Sequence, residues 1–270
     1  MSEEELVDTA LIGDKVTINR LLDKEIDVNY QNPDGYTALM IASCKGHMGV
    51  VKQLLECKEI TVNLKNTYDG NTALSMASQN GHLGVVNRLL ECKEITVNLE
   101  NNDGKTPLIM ASQDGHLDVV NRLLDCKEID VNVQDNEGTT ALMRTVRGSG
   151  KVAKEDIVNR LLKCREINVN LQNREKKTAL YWTAKYNHPE ITSLLLKRKD
   201  ININLQIKDG QTALSMALNK GYLDVVNHLL DFQKERIREV FERLYSDGSL
   251  YVPNDLIELV IEIIQQDRFS

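Results

Sequence analysis

Four cysteines and four histidines are the side chains of this sequence that first suggest metal or nucleophile chemistry. The cysteines share one pattern position, two places after a Leu-Leu pair, and the histidines another, directly after Gly or Asn. Zinc ligands must converge to about 2.3 Å from one ion, whereas recurring positions in stacked helix pairs lie roughly 10 Å apart. We therefore predict structural residues and no metal site. These periodic residues are Cys57, Cys92, Cys126, Cys164, His47, His82, His116 and His188.

A glycine-rich run, Gly148-Ser149-Gly150-Lys151, faintly resembles a phosphate-binding loop. Such a loop needs a preceding strand and Gly-x-x-x-x-Gly-Lys-Ser/Thr spacing. Here Val152 follows the lysine and a predicted helix precedes the run. No histidine has a Ser, Cys or Asp constellation placed beside it alone, as a catalytic histidine requires. We predict no catalytic residue and no cofactor.

Composition and charge argue against several kinds of partner and several cell compartments for this chain. The 270 residues carry a formal net charge of -7, which disfavours broad binding to nucleic acid or anionic membranes. The N-terminus is acidic rather than basic and then apolar, unlike a signal peptide, and no apolar run approaches the ~18 residues of a membrane span. Five cysteines, an odd number, fit no secreted disulfide framework. We expect a cytoplasmic or nuclear protein without a membrane span.

The elements that position these residues come from an internal repeat. Threonines recur at steps of 35, 34, 34, 38 and 34 residues, and each opens a Thr-Ala-Leu or Thr-Pro-Leu triplet. Threonine is a good helix N-cap, and the Gly of each Gly-His pair suits a left-handed turn between two helices. Neither helix can bury its apolar face alone, so the units must stack. The threonines are Thr37, Thr72, Thr106, Thr140, Thr178 and Thr212.

The segment DGNTALSMASQNGHLGVVNRLL, residues 69–90, is similar to the ankyrin repeat, whose signature is Thr-Pro-Leu-His-x-Ala. The resemblance covers roughly residues 3 to 232, with about seven units of which the first is a cap. It implies an all-α solenoid of helix-turn-helix units joined by β-hairpin loops over residues 1–232. Residues 233–270 would form a helical extension packed as a C-terminal cap. It also implies a non-enzymatic scaffold that binds a protein through hairpin tips and inner helix faces, with each histidine bracing a turn.

The fifth and sixth units depart most from the pattern. The turn between the helices of the fifth unit is longer, and residues 144–185 carry seven more basic than acidic side chains. Aromatic and arginine side chains are enriched in binding hot spots, so we expect a contact surface in this stretch. Its basic excess indicates a partner with an acidic segment, and we expect the protein to be monomeric. Trp182 and Arg144 stand where the family has a buried apolar residue, which leaves their exposure open. The predicted contacts are Tyr36, Tyr68, Lys105, Arg144, Arg147, Lys151, Arg174, Lys177, Tyr181, Trp182, Lys185 and Tyr186.

The C-terminal segment has two interpretations. Ile237, Val240 and Phe241 follow a helical spacing, and a second helix is predicted after Pro253. The segment is either a cap over the last unit, which solenoids need for solubility, or a docking helix for a partner. The apolar residues of the second helix are Leu256, Ile257, Leu259, Val260, Ile261, Ile263 and Ile264.

Three other functions stay open at this point. The protein could be an effector that an intracellular microbe delivers to target a host protein in the host cytoplasm. An enzyme within the C-terminal segment is disfavoured, because that segment has no Cys or His. Asn29 and Asn132, in Val-Asn contexts, resemble sites of asparaginyl hydroxylation, so the chain could be a substrate.

Overall fold

A computed structural model describes residues 2–24, 26–148 and 154–246. It divides into two compact units, one ending at Trp182 and one beginning at Thr183. The helices described are α1 (Ser2–Ile12), α2 (Lys15–Leu22), α3 (Ala38–Lys45), α4 (Met48–Leu54), α5 (Ala73–Gln79), α6 (Leu83–Leu90), α7 (Pro107–Asp114), α8 (Leu117–Leu124), α9 (Ala141–Arg147), α10 (Lys154–Leu162), α11 (Ala179–Tyr186), α12 (Pro189–Leu196), α13 (Ala213–Lys220) and α14 (Leu223–Ser246).

The periodic threonines start the first helix of each pair, as the sequence predicts. The hydroxyl of Thr72 accepts a hydrogen bond from the backbone N–H of Ser75 at 3.2 Å, and that of Thr106 accepts one from Ile109 at 3.3 Å. Each bond satisfies one of the backbone donors left open at a helix N-terminus. The threonine triplets therefore fix where the helix pairs begin.

The connecting loops are turns rather than hairpin strands. Most tips are closed by two backbone hydrogen bonds, such as Asn101 N–H to the Lys105 carbonyl at 3.0 Å and Gly104 N–H to the Asn101 carbonyl at 2.9 Å. Neighbouring tips share one more, from Asn136 N–H to the Asp103 carbonyl at 2.8 Å. The two bonds of a tip lie within one tight turn and do not continue as a ladder, so no strand forms in the described ranges. The β-hairpin arms predicted from the sequence are thus corrected to tight turns, while the all-α repeat fold is confirmed.

In the first unit, helices of the same kind stack on one another. Helices α1, α3, α5, α7 and α9 pack in series, and so do α2, α4, α6, α8 and α10. The histidines tie successive pairs together. Nε2 of His82 lies 2.9 Å from the Cys44 carbonyl of the preceding pair, and a Cβ on Gly46 would lie within 3.0 Å of that ring. The histidine thus braces the turn of its neighbour, and only glycine leaves room for it.

Asparagine side chains form a second set of links between neighbouring pairs in this unit. The amide of Asn63 donates to the Glu94 carbonyl at 2.6 Å, and its oxygen accepts from the Thr96 backbone N–H at 3.0 Å. Asn29, Asn98 and Asn132 make the same two bonds to the pair that follows each of them. The Val-Asn motif therefore has a structural role at each of these positions.

In the second unit, α12 and α13 pack against α14. The predicted boundary at residue 232 falls inside α14, which continues unbroken from Leu223 to Ser246. The sequence between Leu230 and Ser246 contains no Gly or Pro that would end the helix. The predicted helix around Ile237 is therefore an extension of the last repeat helix, and the division at 232 stays a prediction. The second C-terminal helix expected after Pro253 lies outside the described residues.

Candidate protein-interaction surface

The first three predicted tip residues differ in exposure. Tyr68 stands at a tip with 82% of its surface exposed. Tyr36 is half-buried, and desolvation raises the pKa of its hydroxyl. The Lys105 ammonium lies 3.5 Å from the Asp103 carboxylate. Of the three, Tyr68 offers the most surface to a partner.

Arg144 is held by a buried carboxylate. Its Nε and Nη2 donate to Oδ2 of Asp135 at 2.8 and 2.5 Å. The other Asp135 oxygen accepts from the backbone N–H groups of Glu137 and Thr139, both at 2.9 Å. The Asp135 side chain is completely buried and the Arg144 side chain is 13% exposed. Arg144 is thus mainly a structural residue, because a buried ion pair loses much stability when one partner is removed.

Arg147 and Lys177 flank the only tryptophan. The Arg147 guanidinium lies 4.5 Å from the Trp182 ring centroid, and the Lys177 ammonium lies 5.0 Å from it. Both distances are within cation–π range. The Trp182 and Tyr181 rings meet edge to face, with centroids 5.9 Å apart. Each of these two residues is only 3% exposed. The expectation that Tyr181 and Trp182 contact a partner directly is therefore corrected, because helix packing and the two cations cover them.

Acidic side chains accompany each of these cations. Glu137 lies 3.2 Å from both Arg144 and Arg147, and Glu175 lies 2.5 Å from Lys177. We call these residues the paired cluster: Asp135, Glu137, Arg144, Arg147, Glu175, Lys177 and Trp182. Its three cations are matched by three carboxylates, so the basic character predicted for this stretch is cancelled locally.

Asp135 and Glu137 were missed by the sequence reasoning. The sequence carries a signal for Asp135, because the equivalent tip position holds asparagine in other units, as at Asn101 and Asn173. Arg144, nine residues later, replaces the methionine found at Met110 in the preceding unit. Both residues differ from their equivalents in the neighbouring units, and both differences occur in the same unit. This joint change indicates that the two side chains compensate each other.

The remaining predicted residues lie apart from the paired cluster or outside the described ranges. Arg174 is exposed at the tip of the sixth unit. In the second unit, the Lys185 ammonium lies 5.8 Å from the Tyr186 ring, and Tyr186 is 44% exposed. Lys151 and most of the glycine-rich run fall within residues 149–153, outside the described part. Helix α9 ends at Arg147, and α10 is described from Lys154. The longer turn predicted between them stays a prediction, because most of it lies outside the described residues.

The periodic cysteines are half-buried structural residues. The Sγ of Cys126 donates to the Arg122 carbonyl at 3.7 Å, and the Sγ of Cys57 donates to the Gln53 carbonyl at 3.8 Å. Burial raises the pKa of each of the four thiols, which disfavours the reactive thiolate. No group of three or more His, Cys, Asp or Glu side chains in the described residues could hold a metal ion.

A comparison with models of known protein families identifies the family of the chain. The family model for ankyrin repeats in three copies matches residues 6–101, 92–165 and 150–238. The chain therefore belongs to the ankyrin repeat family, whose members are generally protein–protein interaction modules and typically non-enzymatic. No curated protein matches the chain. Among the helices described, none is long and apolar enough to cross a membrane.

Proposed function

We propose that this chain is a non-enzymatic binding module whose partner protein contacts the tips and inner helices of the first unit. The observation that carries the proposal is the paired cluster. At positions where the neighbouring unit has Met110 and Gln113, the fifth unit has Arg144 and Arg147, and these are fixed by ion pairs and by Trp182. A preorganised arginine loses less freedom on binding than a mobile one. Exposed Tyr68 and Arg174 extend this surface along the tips.

The ion pairs of the cluster make it suited to an acidic segment. Glu137 and Glu175 are 61% and 60% exposed, and exposed pairs contribute only about 0–1 kcal/mol each. Carboxylates of a partner can replace them on Arg147 and Lys177 at little cost. Asp135 is completely buried and is not replaceable in this way. Arg147 and Lys177 are therefore the proposed contacts, and Arg144 supports them.

Three further parts of the proposal concern the second unit, the compartment and the assembly. Lys185 and the exposed ring of Tyr186 are proposed as a separate contact in the second unit.

All five cysteines are free thiols, which supports a reducing cytoplasm as the compartment. The module is proposed to be monomeric, which light scattering after gel filtration tests directly.

Affinity capture with matched variants tests the function. The test variant Arg147→Gln/Lys177→Gln removes two cations of the cluster. The control Arg88→Gln/Arg160→Gln removes two arginines of second helices that have similar exposure and carboxylate partners. We expect a captured protein that is lost with the test variant, kept with the control, and released by salt. Equal capture by both variants would refute the proposed surface.

A further inference from the structure

An open groove of about 660 Å³ lies in the second unit, along the C-terminal half of α14. One wall is the segment 199–204 and the other is α14 itself. The groove is distinct from the surface proposed above, which belongs to the first unit. Its apolar lining consists of Ile201, Ile203, Phe232, Ile237, Val240 and Phe241.

This part of α14 has an apolar face with nothing described that covers it. The first two turns of α14 bury Val225, Val226 and Leu229, but no residue of 230–242 is buried. Val240 is 54% exposed. A surface helix normally packs its apolar stripe against a neighbour, and exposed apolar patches mark contact sites. This face of α14 is therefore a candidate contact site.

We infer that residues 254–264 of the same chain occupy this groove. The distance available fits this occupant. A helix over 254–264 would be about 16 Å long, and α14 rises about 14 Å from Phe232 to Phe241. Residues 247–253 connect the two and contain Gly248 and Pro253, which are typical of a chain reversal. A helix that returns antiparallel along α14 would thus run the length of the groove.

The side chains of the two partners are complementary. The apolar residues of 254–264 spread wider than the ~100° stripe of an ordinary surface helix, and the groove has two apolar walls for them to contact. The polar residues of the segment include Glu258 and Glu262. Lys199 and Arg236 line the groove, and its carboxylate, Asp200, is already held by Arg198 at 2.9 Å. Arg236 lies 3.6 Å from Glu239 in a pair whose two side chains are about half exposed. Because an exposed pair of this kind contributes only about 0–1 kcal/mol, a carboxylate of the segment can replace Glu239 on Arg236.

The tether favours this occupant over a separate molecule. A short connector gives the linked segment an effective concentration of the order of millimolar. A free partner helix would have to compete at that concentration. Because the segment belongs to the same chain, its binding to the groove does not require the protein partner proposed for the first unit.

Hydrogen exchange on the full-length chain tests the inference. The test variant Leu259→Asp/Ile263→Asp places two charges on the apolar face of the segment. The control Asn254→Asp/Gln265→Asp adds the same charge on its polar side. In the parent and the control we expect slow exchange in 254–264 and in 232–241. In the test variant we expect both regions to exchange at least tenfold faster.

A second variant and the molecular mass complete the test. Ile237→Asp/Val240→Asp, on the α14 wall, is expected to accelerate exchange in 254–264 as well, although it leaves that segment unchanged. Fast exchange of 254–264 in the parent, or equal effects of test and control variants, would overturn the inference. Protection that appears only with a dimeric mass at higher concentration would also overturn it, by assigning the groove to a second copy.

Discussion

The ion pair between Asp135 and Arg144 allows a sharp prediction about stability. Arg144→Met restores the methionine of the preceding unit but leaves the Asp135 carboxylate buried, with Oδ2 deprived of both its guanidinium hydrogen bonds. Removing one partner of a buried pair costs about 3–5 kcal/mol. Because the Arg144 side chain is 13% exposed, we expect the lower end, a loss of about 3 kcal/mol.

The double variant Asp135→Asn/Arg144→Met should recover most of this loss. It recreates the combination of Asn101 and Met110, in which the asparagine oxygen accepts from the N–H groups of Asp103 and Lys105 at 3.0 and 2.9 Å. An asparagine at 135 can accept the same two backbone bonds. We expect the double variant to lie within about 1 kcal/mol of the parent, since replacing a whole buried pair is often neutral.

Urea unfolding of the four proteins in this cycle measures the coupling directly. Circular dichroism follows the helices, and fluorescence of the single tryptophan, Trp182, follows the neighbourhood of the pair. The cycle should give a coupling of about 2–3 kcal/mol, at the upper end for residues in direct contact. A double variant as unstable as Arg144→Met alone would refute the account of Asp135 as a paired, buried group.

Three further predictions concern turns and thiols. Lys176 has a left-handed φ of 59° at a tip where other units have glycine, so Lys176→Gly should raise the unfolding free energy by about 1 kcal/mol in urea titrations; an unchanged midpoint would contradict this. A Cβ on Gly70 would lie 2.4 Å from the Asn102 side chain, whereas one on Gly210 meets nothing within 4 Å, so Gly70→Ala should lower the thermal midpoint more than Gly210→Ala. Because burial raises the pKa of the periodic cysteines, the folded chain binds more protons than the unfolded chain above about pH 8.5, and stability should fall as pH rises from there. Replacing all four by alanine should flatten urea midpoints measured from pH 7 to 10, and parallel curves would be evidence against the effect.

The regular part of the fold could be predicted because each unit repeats the same local chemistry. Thr72 caps a helix by bonding Ser75, and Gly46 ends one at a left-handed φ of 74°. Both depend on residues a few positions away in the chain. Local patterns of this kind identify the helix pairs, the turns between them and the family.

The irregular part could not be predicted as fully, because it depends on contacts between distant residues. The Trp182 ring is partly covered by Arg147, 35 positions earlier, and no local pattern indicates that contact. Helix α14 continues through residue 232 because no helix breaker follows there. The end of the repeat pattern had instead indicated a boundary at this residue. Asp135 could have been found from its joint departure with Arg144, whereas the orientation of Arg147 over the tryptophan required the structure.

The central claim is that the tips of the first unit, not its second helices, contact the partner protein. Site-specific photo-cross-linking tests it most directly, with a benzophenone side chain placed either at Tyr68, which is 82% exposed at a tip, or at Lys52, which is exposed on α4. In lysate of the source cells, we predict a discrete covalent adduct with another protein from position 68 and none from position 52. An adduct from position 52 alone would contradict the claim and assign binding to the second helices.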